Sequence, residues 1–318
     1  MEIPKRTLGR TNVGVSLLGL GTAEIGFPYG IEAKYKGSKD LLTDEEAERF
    51  LKSALELGVT YFDTARAYEL AEERIGKSGI AKKEGVLVGT KCAKFLEKGE
   101  NPSPSEMEAI VRAEVDESRK KLDMDVLPLL FFHGGSKAQI EEGIIIEIMQ
   151  KLRDEEKILF TGISLRGEEA ALAAVESDFF DVIEIAHSIL DQRLVLHVLT
   201  LAKEKNIGVI NRSVLMKGAL TDGVHMLPDK LAKVKENSEK ARAIAEELGI
   251  SLPSLAIRFA ISNPAVSTAL IGTATLSHLE TAKQAIEQGP LPEDVLARLR
   301  GLAIDDPEQV DPSLWPSA

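Results

Sequence analysis

The chain has 318 residues, 44% hydrophobic and 28% charged, enough to bury a large core without metal or disulfide staples. Its formal net charge of −12 argues against a nucleic-acid partner, which needs a basic footprint. The single cysteine, Cys92, permits no intramolecular disulfide and suits a reducing compartment, and its setting reads as a small buried apolar side chain.

No run of 18 uncharged apolar residues is present, and the opening "MEIPKRTLGRTNVGV" lacks a hydrophobic signal region, so a cytoplasmic protein with no membrane partner is expected. The basic run "KLAKVKENSEKAR" has helical apolar spacing and reads as the solvated face of a helix.

Short apolar runs alternate with helical periodicities along the chain. Candidate strands, in order, are "SLLGLGT", "VTYFDTA", "VLVGTK", "VLPLLFFH", "ILFTGIS", "DVIEIAHS", "IGVINRS" and "STALIGT". Most are near-continuous apolar runs, as expected of parallel strands covered on both faces. Capping boxes at Thr43–Glu46, Ser103–Glu106 and Ser136–Gln139 open helices, the second with Pro104 at the first helical position. Further helices are expected near residues 69–78, 168–176, 192–205, 230–248 and 276–288.

Strands that each precede a helix, with no compositional break, predict one (β/α)8 TIM barrel over residues 1–318. A doubly wound sheet is the alternative, weakened because "GLGTAEIG" lacks the dinucleotide-binding glycine spacing. Additions to the barrel are expected in the long loop at about residues 22–42, in a helical stretch after strand 7, and in a C-terminal helix and tail from Leu291.

In such a barrel the chemistry lies at the C-terminal strand ends. Those positions carry Thr22, Asp63, Lys91, His133, Ser164, His187, Ser188, Arg212, Ser213 and Thr273. Singly, Asp63 reads as a helix cap, Lys91 as a solvated loop lysine, His133 as a turn residue and Tyr68 as a core aromatic. Jointly they make a proton donor. A tyrosine titrates near pH 10 unless a nearby ammonium stabilises its phenolate, and a carboxylate keeps that ammonium charged. Asp63, Tyr68, Lys91 and His133 then read as a general acid aimed at an oxyanion, as carbonyl reduction requires.

"YFDTARAY…EERIG", "VGTK" and "LLFFHGG" resemble the aldo-keto reductase superfamily, whose catalytic tetrad is Asp, Tyr, Lys and His. "RTLGRTNVGVSLLGLGT", "DVIEIAHSILDQR", "NRSVLMKGAL" and "ALIGTATLSHLE" extend the resemblance along nearly the whole chain. It implies Tyr68 as general acid or base, tuned by Asp63 and Lys91, with His133 orienting the substrate. It further implies NAD or NADP as cofactor and no metal.

By the same resemblance, cofactor contacts fall at Gly21, Thr22, Asp63, Ser164, Glu184, His187, Ser213, Val214, Leu215, Lys217, Gly218, Gly272, Thr273, Thr275 and His278. Phe27 and Tyr29 would line the mouth for a carbonyl or sugar substrate; Tyr35 and Trp315 are further aromatics near it. Departures are evident: Leu165 replaces a usual Asn, Glu184 a usual Gln, and His187 the aromatic that stacks on the nicotinamide. No Lys or Arg falls between Gly272 and Ala282, where many members clamp a 2′-phosphate, leaving Lys217 and Lys283 as substitutes. NAD and NADP both remain open, as do oligomeric state and reaction direction. A nucleotide-binding regulatory subunit with little turnover, like the potassium-channel β subunits of this fold, is the alternative function. Schiff-base chemistry at Lys91 is a third, disfavoured if Asp63 keeps the lysine protonated.

Overall fold

A computed structural model describes residues 2–36 and 40–316. A hairpin of β1 (Lys5–Thr7) and β2 (Gly14–Ser16) precedes eight parallel strands. These are β3 (Leu18–Gly21), β4 (Tyr61–Asp63), β5 (Leu87–Cys92), β6 (Leu127–His133), β7 (Ile158–Ser164), β8 (Val182–Ala186), β9 (Gly208–Arg212) and β10 (Thr268–Gly272). Each pairs with the next, and β10 closes on β3, where Gly272 faces Gly21. The eight expected strand segments all appear, with ends that differ by at most two residues; Ile158–Ser164 matches throughout and Leu87–Cys92 runs one residue further than expected.

Inside the barrel, Tyr61, Leu87, Leu129, Phe131, Val182, Ile210 and Leu270 fill the centre, with Leu8 and Val15 of the hairpin closing the base. Sequence periodicity did not distinguish this hairpin, because its strands are three residues long and carry two cations. Glycines admit the large rings. A Cβ on Gly162 would fall 2.4 Å from the Phe131 ring, and one on Gly89 2.4 Å from the Tyr61 hydroxyl. Gly162→Ala is therefore expected to destabilise the protein by about 1–3 kcal/mol, the usual range for overpacking. Urea unfolding checks this, and an unchanged midpoint would refute it.

A second apolar layer lies between strands and helices, where Phe50, Leu51, Val111, Val115, Ile148, Leu152 and Leu279 meet the outward strand residues. Thr43 and Ser136 cap as expected: each side chain accepts from the backbone N–H three residues on, and that residue's side chain answers at the cap N–H. The Ser136 cap opens only a short helix, Lys137–Glu141, which Gly143 interrupts in a left-handed conformation before Ile144–Asp154.

The long first loop holds two short helices, Ala23–Gly26 and Ile31–Lys36. After β9 come three 3-10 turns and the helix Ala232–Glu247, then a further helix, Leu252–Ser262. The sequence predicts an extra helical stretch after strand 7 but gives this second helix no bounds. Its run "LPSLAIRFAIS" is apolar on nearly every side because it is buried on nearly every side. A third core cluster joins this region to the C-terminal segment through Leu255, Leu299, Val310 and Trp315. Among the described residues no helix is long and apolar enough to cross a membrane.

Candidate active site

A cleft of about 460 Å³ opens at the C-terminal ends of the barrel strands. Asp63, the last residue of β4, projects into it. From there the chain keeps hydrogen bonding to β5, with Thr64 N donating to Gly89 O at 2.8 Å and Arg66 N to Lys91 O at 2.9 Å. A turn closed by Tyr68 N on Ala65 O at 2.9 Å then brings the phenol over the mouth. Arg66 anchors this loop through Glu72, which also accepts from Thr90 Oγ1 at 2.6 Å. From the other side Gly26 packs on the turn so closely that a Cβ there would lie 2.0 Å from the Tyr68 carbonyl oxygen.

Lys91 is fully buried, and its ammonium donates to Asp63 Oδ1 and to the Thr64 carbonyl at 3.1 Å. It also stands 3.2 Å from Glu184 Oε2 and 5.4 Å from the centre of the Tyr68 ring. Burial lowers its pKa, but the charges of Asp63 and Glu184 outweigh that and hold it well above the lysine range. Lys91 is thus an ammonium at any physiological pH, which disfavours its use as a Schiff-base nucleophile.

Burial raises the Tyr68 phenol well above its ordinary pKa; Lys91 pulls the other way, and Asp63 and Glu184 add to the rise. The expectation that the lysine brings the phenol down holds in sign but not in outcome: desolvation wins. His133 is held neutral, its pKa well below 6.5, chiefly by burial and then by Lys94 and Lys91. Its ring meets that of Tyr68 edge-on with centroids 6.0 Å apart, while Nε2 lies 3.0 Å from the Lys94 ammonium.

Lys94 was not singled out in the sequence. It arrives because Ala93 adopts a left-handed φ of 59°, turning the chain back over β6. Gly134, at φ 117°, permits the contact, since a Cβ there would lie 2.7 Å from Glu97 N. Lys94 pairs with Glu97, Glu97 with Arg166, and Arg166 with Asp311 at 2.6 Å, a chain of charges along the rim.

Of the residues expected at the cofactor, Gly21, Asp63, Ser164, Glu184, Ser213, Val214, Leu215, Lys217, Gly218, Gly272 and His278 line the cleft. Others do not. Thr22 is buried and braces the Asp63 carbonyl with its hydroxyl at 2.8 Å. Thr273 is buried, its hydroxyl engaged by Thr275 N at 3.0 Å and His278 Nδ1 at 2.9 Å, and Thr275 stands beside it as the N-cap of Leu276–Glu287.

His187 is the main correction. It packs against Phe259, centroids 5.2 Å apart, with a pKa pushed down to about 4 by burial, and does not reach the cleft. Arg212 lines the cleft there instead; it donates to Leu165 O at 2.8 Å and Ser213 Oγ at 3.2 Å. Leu165 itself is core.

Phe27 and Tyr29 form one wall, edge to face with centroids 5.5 Å apart, and Phe27 lies 5.9 Å from Tyr68. Lys217 sits 4.8 Å over the Tyr29 ring, its pKa pushed down to about 8 by burial and by Lys34 and Arg166. Tyr35 and Trp315 are elsewhere: the Tyr35 hydroxyl donates to Pro316 O, and Trp315 is tucked into the third cluster with Nε1 donating to Gln309 O at 2.7 Å. The tail reaches the cleft through Pro312 and Ser313. Cys92 is buried, and burial pushes its thiol pKa up, as suits a core side chain.

The family model described as "Aldo/keto reductase family" matches residues 18–304. L-galactose dehydrogenase of Arabidopsis thaliana is 29% identical, the alignment covering 99% of this chain and 98% of that protein. D-threo-aldose 1-dehydrogenase of a Pseudomonas species is 26% identical over 82% of this chain and 86% of its own. In fold, the chain superposes on an aldo-keto reductase from Bacillus halodurans with a TM-score of 0.77 at 24% identity, covering 96% of this chain and 98% of the other. On the extent of the family match, the chain belongs to the aldo/keto reductase family and is an oxidoreductase of that family.

Proposed function

We propose that the protein interconverts a carbonyl and an alcohol on a small molecule, a sugar or aldehyde being the class favoured, with Tyr68 as the proton-handling group. The observation that carries this reading is the buried Lys91 ammonium, shared by Asp63 and Glu184 and set 5.4 Å from the Tyr68 ring at the floor of the cleft. The sugar class rests on the two dehydrogenase relatives, which are named for L-galactose and for a D-threo-aldose.

Aldo-keto reductases use nicotinamide dinucleotides, and the residues here fit one. A Cβ on Gly272 would meet nothing within 4 Å, so the wall formed by Gly272 beside Gly21 is free of side chains. Thr275 leaves the start of the helix Leu276–Glu287 without a side-chain cap, and Arg212 and Lys217 bring positive charge to the cleft. Bound, the cofactor supplies the hydride acceptor or donor at its nicotinamide ring. Ser164, Glu184 and Arg212 would hold the ring end, and Gly272 and His278 the adenosine end.

The chain's own residues manage the proton. In reduction the Tyr68 hydroxyl protonates the carbonyl oxygen; in oxidation the phenolate, stabilised by the Lys91 ammonium, removes the alcohol proton. His133, neutral and beside Lys94, presents positive charge to the oxygen through its neighbour rather than through its own ring. Phe27 and Tyr29 exclude water from the substrate side.

Between Gly272 and Ala282 there is no Lys or Arg, and Lys283 lies next to Glu287 on its own helix. The reading therefore favours NAD over NADP, since a 2′-phosphate would meet no basic clamp. Fluorescence-quenching titrations are expected to give a lower Kd for NADH than for NADPH; tighter NADPH binding would reverse this preference. Turnover itself is tested by following reduced-cofactor absorbance with a panel of aldoses and aldehydes. Cofactor binding without turnover of any of them would favour a regulatory subunit instead.

A further inference from the structure

The floor of the cleft holds one more carboxylate than its buried lysine neutralises. Lys91 donates to Asp63 and stands 3.2 Å from Glu184 Oε2; all three side chains are buried, with Asp63 and Glu184 at the cleft wall. Both carboxyl groups therefore share one ammonium, close enough for each to act on the other. Neighbouring elements contribute further groups. From β4 the Tyr61 hydroxyl donates to Asp63 Oδ2 at 3.2 Å, and from β7 the Ser164 hydroxyl donates to Glu184 Oε1 at 2.7 Å. From β9 Arg212 Nε lies 3.9 Å from Glu184 Oε1, with its terminal nitrogens spent on Leu165 and Ser213. The loop after β4 brings Tyr68, and β6 brings the neutral His133.

Glu184 Oε2 meanwhile is buried and receives no well-formed hydrogen bond. Two adjacent anions on one buried ammonium repel each other strongly at low dielectric. A single proton held by the pair removes that repulsion.

We propose that Asp63 and Glu184 hold one exchangeable proton between them, and that the cationic ring of an oxidised nicotinamide cofactor expels it on binding. This rests on the reading above that the cleft takes such a cofactor. Asp63 is the carrier: burial and the charge of Glu184 push its pKa up, while Lys91 opposes them. Glu184, although burial raises it, is held below the usual carboxylate range by Lys91. The reduced ring is neutral and has no reason to displace the proton. The oxidised ring brings a positive charge that the doubly ionised pair stabilises.

Linkage fixes the sign. A ligand whose binding releases a proton binds more tightly as pH rises, by up to about tenfold per pH unit for a whole proton. The dependence ends at the pH where the free protein has already lost that proton. Loading with oxidised cofactor, and with it alcohol oxidation, is thereby favoured by alkaline conditions.

The test is calorimetric titration of the full-length protein at neutral pH with the oxidised and the reduced cofactor, each in two buffers of different ionisation enthalpy. Wild type is expected to release up to one proton with the oxidised form and none with the reduced form. Glu184→Gln should release none with either, and its affinity for the oxidised form should become flat with pH. Glu184→Asp, which keeps the acid, should retain the release. Equal proton counts for the two cofactor forms in wild type would overturn the proposal, as would undiminished release in Glu184→Gln. If neither variant folds, the wild-type pair of titrations still decides. A protein that binds neither form would overturn the cofactor reading as well, whereas binding of both with equal proton counts overturns this inference alone.

Discussion

Tyr68→Phe is expected to lower kcat by at least about 10²–10⁴, the range ascribed to a positioned acid or base, while changing cofactor Kd by less than about twofold. The substitution removes one oxygen and leaves the ring that Phe27 and His133 pack against, at 5.9 and 6.0 Å between centroids. Volume and the apolar contacts survive; the transferable proton does not. Stopped-flow and steady-state rates, with quenching titrations alongside, separate the two quantities. A variant that keeps a tenth of wild-type turnover would remove Tyr68 from the mechanism.

The pH profile should follow from the same geometry. Burial keeps the phenol protonated throughout the neutral range, so reduction should be flat there. Oxidation needs the phenolate, and its rate should climb with pH. Lys91 supplies the opposing pull that makes the ionised form reachable when substrate and cofactor fill the cleft.

Why these four residues could be found in the sequence is itself physical. Parallel strands buried on both faces read as unbroken apolar runs, so the residues that end them can be located. Each of Asp63, Lys91 and His133 has an ordinary reading alone, but at three consecutive strand ends they stand out together. Lys94 and Arg166 do not, because a charged residue in a loop looks solvated until its partner is known. Glu97 is three residues on from Lys94, but its second partner Arg166, and Asp311 beyond that, come from elsewhere in the chain.

The misplacement of His187 has a related cause. It ends its strand run as plausibly as Arg212 ends the next, and both are polar. What buries His187 is Phe259 of the helix Leu252–Ser262, whose all-round apolar sequence carries no amphipathic period to mark it. With that helix in place the imidazole is covered, and the guanidinium one strand on is left to line the cleft. Glu184 was identifiable as a departure from the family pattern, but its consequence was not. That consequence depends on a 3.2 Å approach to a lysine 93 positions earlier in the chain, which only the closed barrel supplies.

The second large effect concerns stability. Lys91→Met leaves Asp63 and Glu184 buried together with no buried cation between them, and only Arg212, 3.9 Å from Glu184, remains near. Breaking a buried ion pair by removing one partner typically costs about 3–5 kcal/mol, so at pH 8 the variant should unfold at markedly lower urea than wild type. The loss should shrink in acid. Without Lys91 both carboxyls would have folded-state pKa values raised above their unfolded values by burial and mutual repulsion. An acid whose folded pKa is raised binds its proton more tightly when folded, so its penalty is absent at low pH and grows as pH rises through the unfolded value towards the folded one. The gap between variant and wild type should therefore be narrower at pH 5 than at pH 8. Adding Asp63→Asn to Lys91→Met removes one stranded carboxyl, which at pH 8 is either a buried charge or an acid kept protonated at a cost, and should recover part of the loss, a non-additivity that a double-mutant cycle would read directly. A gap of equal size at both pH values, with no recovery in the double variant, would mean that the lysine stabilises the fold by packing rather than by charge. The electrostatic account of the cleft floor would then have to be abandoned.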